Sequence, residues 1–193
     1  MVDLFGPFQV RGEVQKRTTA KAWGVIFTDL CCRAIHLEVA NGYDAQSFLL
    51  AFRRFASIRG WPAVMFSDPG TQLRASADIV CQASEKGTKW EFSPPDSPWR
   101  QGAVEALIKT VKRGLLHATQ GRRLSLPETM TVFSEVANLV NERPIGILSS
   151  QDSVLSVLTP NTLLLGRSTA ANPGGYADGA SLHARLALVE SII

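Results

Sequence analysis

The stretch DAQSFLLAFRRFASIRGWPAVMFSDPG, residues 44–70, places a helix directly before a short apolar strand. Asp44 is a suitable helix N-cap, and Gly60 followed by Pro62 predicts where the helix ends. Three phenylalanines recur at helical spacing on one side of this helix, Phe48, Phe52 and Phe55. The apolar residues 63–66 then match the buried strand of a βαβ unit. A helix that leads into a buried strand predicts an α/β fold.

The segments on either side of this stretch supply the remaining elements. Upstream, three segments rich in apolar and β-branched residues predict strands at 2–5, 22–30 and 34–39. Downstream, a helix is predicted around 75–84 and a strand at KWEF, residues 89–92. Three strands followed by helix, strand, helix, strand and two helices indicate a mixed α/β layer rather than a helix bundle or a β-sandwich.

The last two helices are predicted from their apolar faces. In the segment FSPPDSPWRQGAVEALIKTVKRGLL, residues 92–116, five apolar residues repeat every three or four positions. They are Val104, Leu107, Ile108, Val111 and Leu115. In the following segment, Ser125 and Glu128 have the spacing of a capping box, which predicts another helix. Its buried face is predicted to hold Val132, Phe133, Val136, Leu139 and Val140.

A polar line borders the apolar face of the first of these two helices. Glu105, Lys109 and Lys112 fall within roughly 60° of one another around the helix axis. An acidic residue in the first turn complements the helix dipole, and Glu105 forms a favourable pair with Lys109. A purely structural role and a functional role therefore both remain open for this line.

Basic residues are concentrated in two segments, although the net charge of the chain is only +3. Residues 100–123 hold six basic residues against Glu105 alone, and residues 10–22 hold four against Glu13 alone. If folding brings the two segments together, they form a surface for a polyanion, with nucleic acid the first candidate. A charged surface that only contacts solvent is the alternative.

Composition limits the other classes of protein. Apolar residues make up 45% of the 193 residues, as in globular proteins, and no run of about 20 apolar residues predicts a membrane span. Cys31 and Cys32 are adjacent and Cys81 is alone, a spacing that matches neither a disulfide framework nor a zinc site. An intracellular protein with no membrane partner is therefore predicted.

Three acidic residues occupy positions that a sheet can bring together. Asp3 lies in the first predicted strand, Asp68 directly follows the fourth, and Glu105 begins a helix expected to pack on the sheet. Clustered carboxylates repel one another unless divalent cations lie between them, and Mg²⁺ prefers such oxygen ligands. Two such ions can activate a hydroxyl and stabilise the leaving oxygen of a phosphodiester. Taken singly, Asp3 reads as a terminal residue, and Asp68 with Pro69 and Gly70 as an ordinary turn.

Sequence motifs around these acids resemble one family of proteins. The motifs are VDLFGPF at 2–8, RRFASIRGWP at 53–62, SDPGTQL at 67–73, NERPIG at 141–146 and LTPNTLLLGR at 158–167. They resemble the integrase catalytic core of BEL/Pao-type LTR retrotransposons, within the retroviral integrase superfamily, and they span nearly the whole chain. The interval between Asp68 and Glu105 is also close to that between the last two acids of the family.

The resemblance implies a fold and a site. The fold would be ribonuclease H-like and α/β, with a mixed five-stranded sheet flanked by helices. Asp3, Asp68 and Glu105 would be the catalytic acids and would bind two Mg²⁺ or Mn²⁺ ions. The residues implied to bind DNA are Gln101, Lys109, Lys112 and Arg113.

The resemblance also implies a reaction and its setting. The reaction would be DNA integration, in which a DNA 3′ end of the element is joined to target DNA by metal-dependent phosphoryl transfer. Such a transfer depends on positioning and charge neutralisation, which suits carboxylates and lysines without a protein nucleophile. The chain would act as a homo-oligomer, in the nucleus or in a virus-like particle.

Two features distinguish this chain from the family pattern. Pro69 stands where the family normally has asparagine after its second aspartate, and together with Gly70 it favours a type II turn. The segment at 74–89 is shorter than in BEL/Pao elements. A catalytically inactive, transposon-derived protein that still binds nucleic acid is therefore one alternative. A ribonuclease H-like nuclease that only hydrolyses strands is another.

A domain boundary is predicted near residue 146. Residues 1–146 form the predicted catalytic core, and residues 147–193 form an extended C-terminal segment that precedes a further domain. From 143 to 179 the chain is rich in proline, serine and glycine, which favours a loose extension over a packed core. Residues 182–193 indicate the start of another helix.

Overall fold

The computed structural model describes residues 1–12, 19–83, 87–94, 102–149 and 155–166, which form seven strands and five helices. The strands are β1 Val2–Arg11, β2 Thr19–Thr28, β3 Ile35–Ala40, β4 Val64–Ser67, β5 Lys89–Phe92, β6 Gly146–Ser149 and β7 Leu155–Leu158. The helices are α1 Ala45–Arg59, α2 Thr71–Ala83, α3 Gly102–Thr119, α4 Leu126–Asn141 and α5 Pro160–Leu165. The predicted mixed α/β fold is confirmed. None of the described helices combines the length and the apolar composition needed to cross a bilayer.

The first sheet contains β1, β2 and β3 in that order, and both neighbouring pairs are antiparallel. β1 continues to Arg11, well beyond the end predicted at residue 5. Its register with β2 shifts between Phe5 and Phe8, so the intervening Gly-Pro pair interrupts the ladder without ending the strand. The sequence prediction ended too early because Gly and Pro mark a strand end and a strand irregularity alike.

The second sheet contains a βαβ unit, but it differs from the predicted one, in which α1 leads into the strand at 63–66. β4 and β5 pair in parallel, with Met65 opposite Trp90, and α2 connects them. β4 is only partly buried, because Val64 is 41% exposed. β4 also contacts β1, which brings the two sheets together. The predicted continuous five-stranded sheet is not confirmed, since the described strands form sheets of three, two and two strands.

Helices pack on both faces of the first sheet because side chains alternate along its strands. On one face, Phe5, Ile26 and Leu37 pack with the buried sides of α3 and α4. On the other face, Val25 and Phe27 pack with α1, α2 and β4. The five residues predicted to form the buried face of α3 are each at most 8% exposed. This packing fixes the orientation of α3 and α4 over the sheet. It therefore also fixes the side of α3 on which Glu105, Lys109 and Lys112 lie.

The helix caps predicted from the sequence are confirmed at α1 and α4. The Asp44 side chain accepts the backbone N–H of Ser47 at 2.9 Å, and Gly60 ends the same helix with a φ of 87°. Ser125 and Glu128 form the predicted capping box at the start of α4. These caps satisfy backbone groups that a helix end leaves without partners.

The described part of the C-terminal segment is folded rather than loose. β6 and β7 pair antiparallel, and Thr159 with Thr162 forms a capping box at the start of α5. The amide of Asn161 then donates to the Glu142 side chain, at the end of α4, at 2.6 Å. The predicted loose extension is wrong for these residues, because capping and side-chain hydrogen bonds outweigh the loop-like composition. The helix start predicted at 182–193 lies outside the described residues.

Candidate active site

Asp3 lies on the face of β1 that turns towards α3. Because side chains alternate along a strand, Asp3 shares its face with Phe5, which packs in the α3–α4 layer. Val2 and Leu4 pack in the opposite layer. The Asp3 carboxylate is partly buried, and its Oδ1 accepts the backbone N–H of Leu4 at 2.7 Å. Asp3 is therefore an integral part of the sheet rather than a frayed terminal residue.

Asp3 also responds to the charges of three other side chains. Burial raises the pKa of its carboxyl above the ordinary value, and the hydrogen bond from Leu4 opposes this effect. The negative charges of Asp68 and Glu105 raise the pKa further, whereas the positive charge of Lys112 lowers it. The fold thus brings two distant acids and one lysine within electrostatic reach of Asp3.

Two side chains that the sequence did not point to hold the backbone at Asp68. Ser67 is fully buried at the end of β4, and its hydroxyl donates to the carbonyl of Asp68 at 3.0 Å. The indole N–H of Trp90, on β5, donates to the same hydroxyl at 2.9 Å. No sequence signal marks this contact, because it depends on the parallel pairing of β4 with β5, which puts Trp90 opposite Met65 and within reach of Ser67 two residues further along.

The turn that follows Asp68 differs from the predicted one. Gly70 does not have a positive φ, which the third residue of a type II turn requires. Its carbonyl instead accepts the N–H groups of Leu73 and Arg74 at 3.0 and 2.9 Å. The helix α2 consequently begins at Thr71 rather than near residue 75. Pro69 therefore links the acid directly to the first turn of a helix.

The predicted polar line on α3 is exposed along its length. Glu105, Lys109 and Lys112 are exposed, and so is the neighbouring Arg113. The charges of Glu105 and Lys112 shift the pKa of Asp3 in opposite directions. Lys109 and Arg113 extend the basic surface beside them. Gln101, the remaining predicted DNA contact, lies outside the described residues.

The donor atoms at this site suit a hard divalent cation. Asp3, Asp68 and Glu105 offer carboxylate oxygens, which Mg²⁺ and Mn²⁺ prefer. The like charges that raise the pKa of Asp3 are charges that a cation would neutralise. Within the described ranges, no three His, Cys, Asp or Glu side chains lie close enough together to form a complete metal-binding group. The three carboxylates would therefore have to move closer together to share an ion.

The two basic segments seen in the sequence meet in the structure. The backbone N–H of Arg11 donates to the carbonyl of Leu124 at 2.7 Å, and the Arg123 guanidinium donates to the Thr19 hydroxyl at 3.4 Å. These contacts join the loop between α3 and α4 to the distal ends of β1 and β2. Folding therefore brings these parts of the two basic segments together, as a shared surface for a polyanion requires. Residues 13–18 lie outside the described part of the chain.

Solved structures of retroviral integrases are similar to this chain. One is the catalytic core domain of BIV integrase, with a TM-score of 0.57 and 20% identity, covering 76% of this chain and 87% of that one. The chain has the fold of an integrase catalytic core.

Another similar structure is the cryo-EM structure of the simian T-cell lymphotropic virus intasome in complex with PP2A regulatory subunit B56 gamma. The TM-score is 0.58 with 12% identity, and the match covers 90% of this chain. The chain spans 58% of the length of that intasome chain. No protein-family model matches the sequence, and no curated protein is significantly similar to it. At these identities the likeness to both structures concerns the fold alone.

Proposed function

We propose that this chain is an integrase catalytic core of BEL/Pao type, which joins a DNA 3′ end of its element to target DNA. One observation supports this most strongly. In a fold shared with integrase catalytic cores, the negative charges of Asp68 and Glu105 both act on the carboxyl of Asp3. The three acids come from a strand, a strand end and a helix that are distant in the sequence, and Asp68 and Glu105 are both within electrostatic reach of Asp3.

The three acids would hold two Mg²⁺ or Mn²⁺ ions, which activate the attacking hydroxyl and stabilise the leaving oxygen when bound. Asp3 contributes a partly buried carboxylate that the backbone N–H of Leu4 orients. Asp68 contributes the second carboxylate, and its backbone carbonyl accepts a hydrogen bond from the Ser67 hydroxyl. Glu105 contributes an exposed carboxylate on a helix surface, where its side chain has room to adjust. One oriented acid, one acid on a fixed backbone and one adjustable acid suit a site that closes around its ions.

The basic residues of α3 would bind the DNA phosphates beside these acids. The positive charge of Lys112 lowers the pKa of Asp3, and Lys112 would hold a phosphate on the side of the helix that faces these acids. Lys109 and Arg113 would extend this contact along the helix, and Gln101 would contact the DNA end. Phosphoryl transfer requires positioning and charge neutralisation, which these side chains supply.

The same assignment extends to the setting of the reaction. The chain would act on element ends and target DNA as a homo-oligomer, in the nucleus or in a virus-like particle. Residues 1–146 would form the catalytic core, and residues 147–193 would form a C-terminal segment.

A nucleic-acid-binding protein without catalysis is the second candidate, and Pro69 is the observation that favours it. Proline lacks a backbone N–H and fixes φ near −65°. The chain therefore leaves Asp68 in a direction set by proline and by the start of α2. Salt-sensitive DNA binding without metal-dependent chemistry would identify this function.

The test is strand transfer and nicking of a labelled DNA duplex in Mg²⁺, Mn²⁺ or EDTA. The wild-type chain is compared with Asp68→Asn and Glu105→Gln, and with Glu135→Gln, which changes an exposed acid of α4, as the matched control. The proposal predicts metal-dependent joining that both site variants lose and the control retains. DNA binding without joining, also after Pro69→Asn, would favour the second candidate. Cleavage without joining would instead identify a nuclease.

A further inference from the structure

A groove begins at Lys112 and continues beyond the C-terminal end of α3. It has a volume of about 560 Å³ and lies between α3, α4, β1 and the loop at 120–124. Its floor is apolar, with the buried side chains of Leu115 and Phe133. Its rim carries the exposed side chains of Lys112, Arg122 and Arg123. We call this feature the distal groove.

We propose that the distal groove binds the phosphate backbone of a nucleic acid, as a contact additional to the one at the three acids. The proposal shares with the proposed function only the class of ligand. It does not depend on metal binding or on catalysis by the chain.

The loop that carries the two arginines is fixed by the fold. Gln120 and Gly121 both have positive φ, 50° and 72°, which turns the chain sharply after α3. The carbonyl of Leu124 then accepts the backbone N–H of Arg11 at 2.7 Å, so the far end of the loop is tied to β1. A loop held at both ends presents Arg122 and Arg123 at a defined position on the groove rim.

Positive charge exceeds negative charge around the distal groove. Arg11, which follows the lining residue Val10, pairs with Glu128 at 3.4 Å, and Glu128 is also engaged in the cap of α4. Lys112, Arg122 and Arg123 add three exposed positive charges to this pair. A ligand with closely spaced negative charges, such as a phosphodiester backbone, matches this arrangement.

Lys112 connects the distal groove to the candidate active site. It lines the groove, and it lies on the same helix two turns after Glu105, one of the three acids. Roughly 10 Å of helix separates Lys112 from Thr119, the last residue of α3. One DNA strand covers that distance in about three nucleotides. A single nucleic acid can thus contact Lys112 and the loop arginines together, which favours nucleic acid over an acidic protein as the ligand.

The test measures the salt dependence of DNA affinity by fluorescence anisotropy, with a labelled duplex and no divalent cation. All proteins carry Asp68→Asn and Glu105→Gln, so that chemistry makes no contribution. Each phosphate contact adds about 0.9 to the slope of log K against log salt. Arg122→Gln with Arg123→Gln should therefore flatten the slope by up to about 1.8. The charge-preserving pair Arg122→Lys with Arg123→Lys should keep the slope.

The matched control is Arg53→Gln with Arg59→Gln, which removes two exposed charges from α1 on the opposite face of the sheet. The control should keep the parent slope, and circular dichroism melting should show all variants folded. An unchanged slope in Arg122→Gln with Arg123→Gln, or an equal loss in the control, would overturn the proposal.

This outcome can be separated from that of the proposed function. A flattened slope in a protein whose wild type shows no joining activity would support the distal groove and contradict only the proposed integrase. Active joining together with an unchanged slope would contradict only the distal groove.

Discussion

Glu38 on β3 is a buried acid whose charge is held by two neighbours. It is 7% exposed, its Oε2 accepts from Nε of Arg54 at 2.7 Å, and its Oε1 lies 3.0 Å from Nε2 of His36. Burial disfavours the ionised form, but the hydrogen bonds from His36 and Arg54 outweigh burial and hold the pKa of Glu38 below its ordinary value. The ionised carboxylate therefore stabilises the folded chain.

This pKa predicts how stability depends on pH. Because the folded pKa lies below the unfolded value of 4.5, the contribution of Glu38 is present above that value and is lost as the pH falls through the folded pKa. Glu38→Gln should lower the free energy of unfolding by about 1.5–3 kcal/mol at neutral pH, and by less in acid. Urea unfolding at several pH values measures this difference. Glu135→Gln, at an exposed site, is the control, and a pH-independent effect of Glu38→Gln would contradict the prediction.

Trp90 is predicted to act on the candidate active site through Ser67. Trp90→Phe keeps an aromatic ring but removes the N–H that donates to the buried Ser67 hydroxyl. We expect a stability loss of about 1 kcal/mol, together with several-fold slower joining and a higher metal concentration for half-maximal rate. Trp61→Phe, which changes a partly exposed indole against Phe52, should leave the metal requirement unchanged.

A double-mutant cycle checks whether Trp90 and Ser67 work as one unit. Both residues belong to a single hydrogen-bond chain. The double variant Ser67→Ala with Trp90→Phe should therefore raise the metal concentration for half-maximal rate by a smaller factor than the product of the two single-variant factors. Fully additive effects would show that Trp90 influences the site only through general stability.

At the scale of elements, α4 and β3 are joined by one buried side chain. Asn141, at the end of α4, is 2% exposed. Its Oδ1 accepts the N–H of Ile35 and its Nδ2 donates to the Ile35 carbonyl, both at 2.8 Å. This bidentate contact supplies hydrogen-bond partners for the N–H and the carbonyl of Ile35, the first residue of β3, which would otherwise have none.

Asn141→Ala should therefore leave two buried backbone groups without partners. We expect the free energy of unfolding to fall by roughly 2–4 kcal/mol. Urea denaturation measures the loss, with Ser134→Ala on the exposed side of α4 as the control. A loss no larger than that of the control would mean that water satisfies Ile35 instead.

The elements themselves could largely be predicted from the sequence, for local reasons. α1, α3 and α4 have a clear helical period, and the caps of α1 and α4 are read from neighbouring residues. The predicted start of α2, near residue 75, was wrong because the helix begins at Thr71. Whether Gly70 ends a turn or opens a helix depends on which N–H groups its carbonyl accepts. α5 was missed because a six-residue helix has too few turns to show a period.

At the scale of the whole molecule, the contacts that build the candidate site are long-range. The sequence shows two basic segments but does not show whether they lie together in the fold. Their contact, from Arg11 to Leu124, depends on the packing of α4 beside the sheet. Likewise, Asp3, Asp68 and Glu105 could be grouped only through the expected layout of the sheet and through resemblance to a family, since no local pattern relates a strand to a helix so far along the chain. Strand register decides which of these side chains meet.

The measurement that tests the central claim most directly is the location of Mn²⁺ by anomalous scattering in crystals of the chain. The claim is that Asp3, Asp68 and Glu105 act as one metal-binding site. It predicts anomalous peaks about 2.1 Å from oxygens of these carboxylates, with Glu105 drawn towards the two aspartates, and loss of the peaks in Asp3→Asn. Mn²⁺ bound only elsewhere, or peaks unchanged in Asp3→Asn, would contradict it.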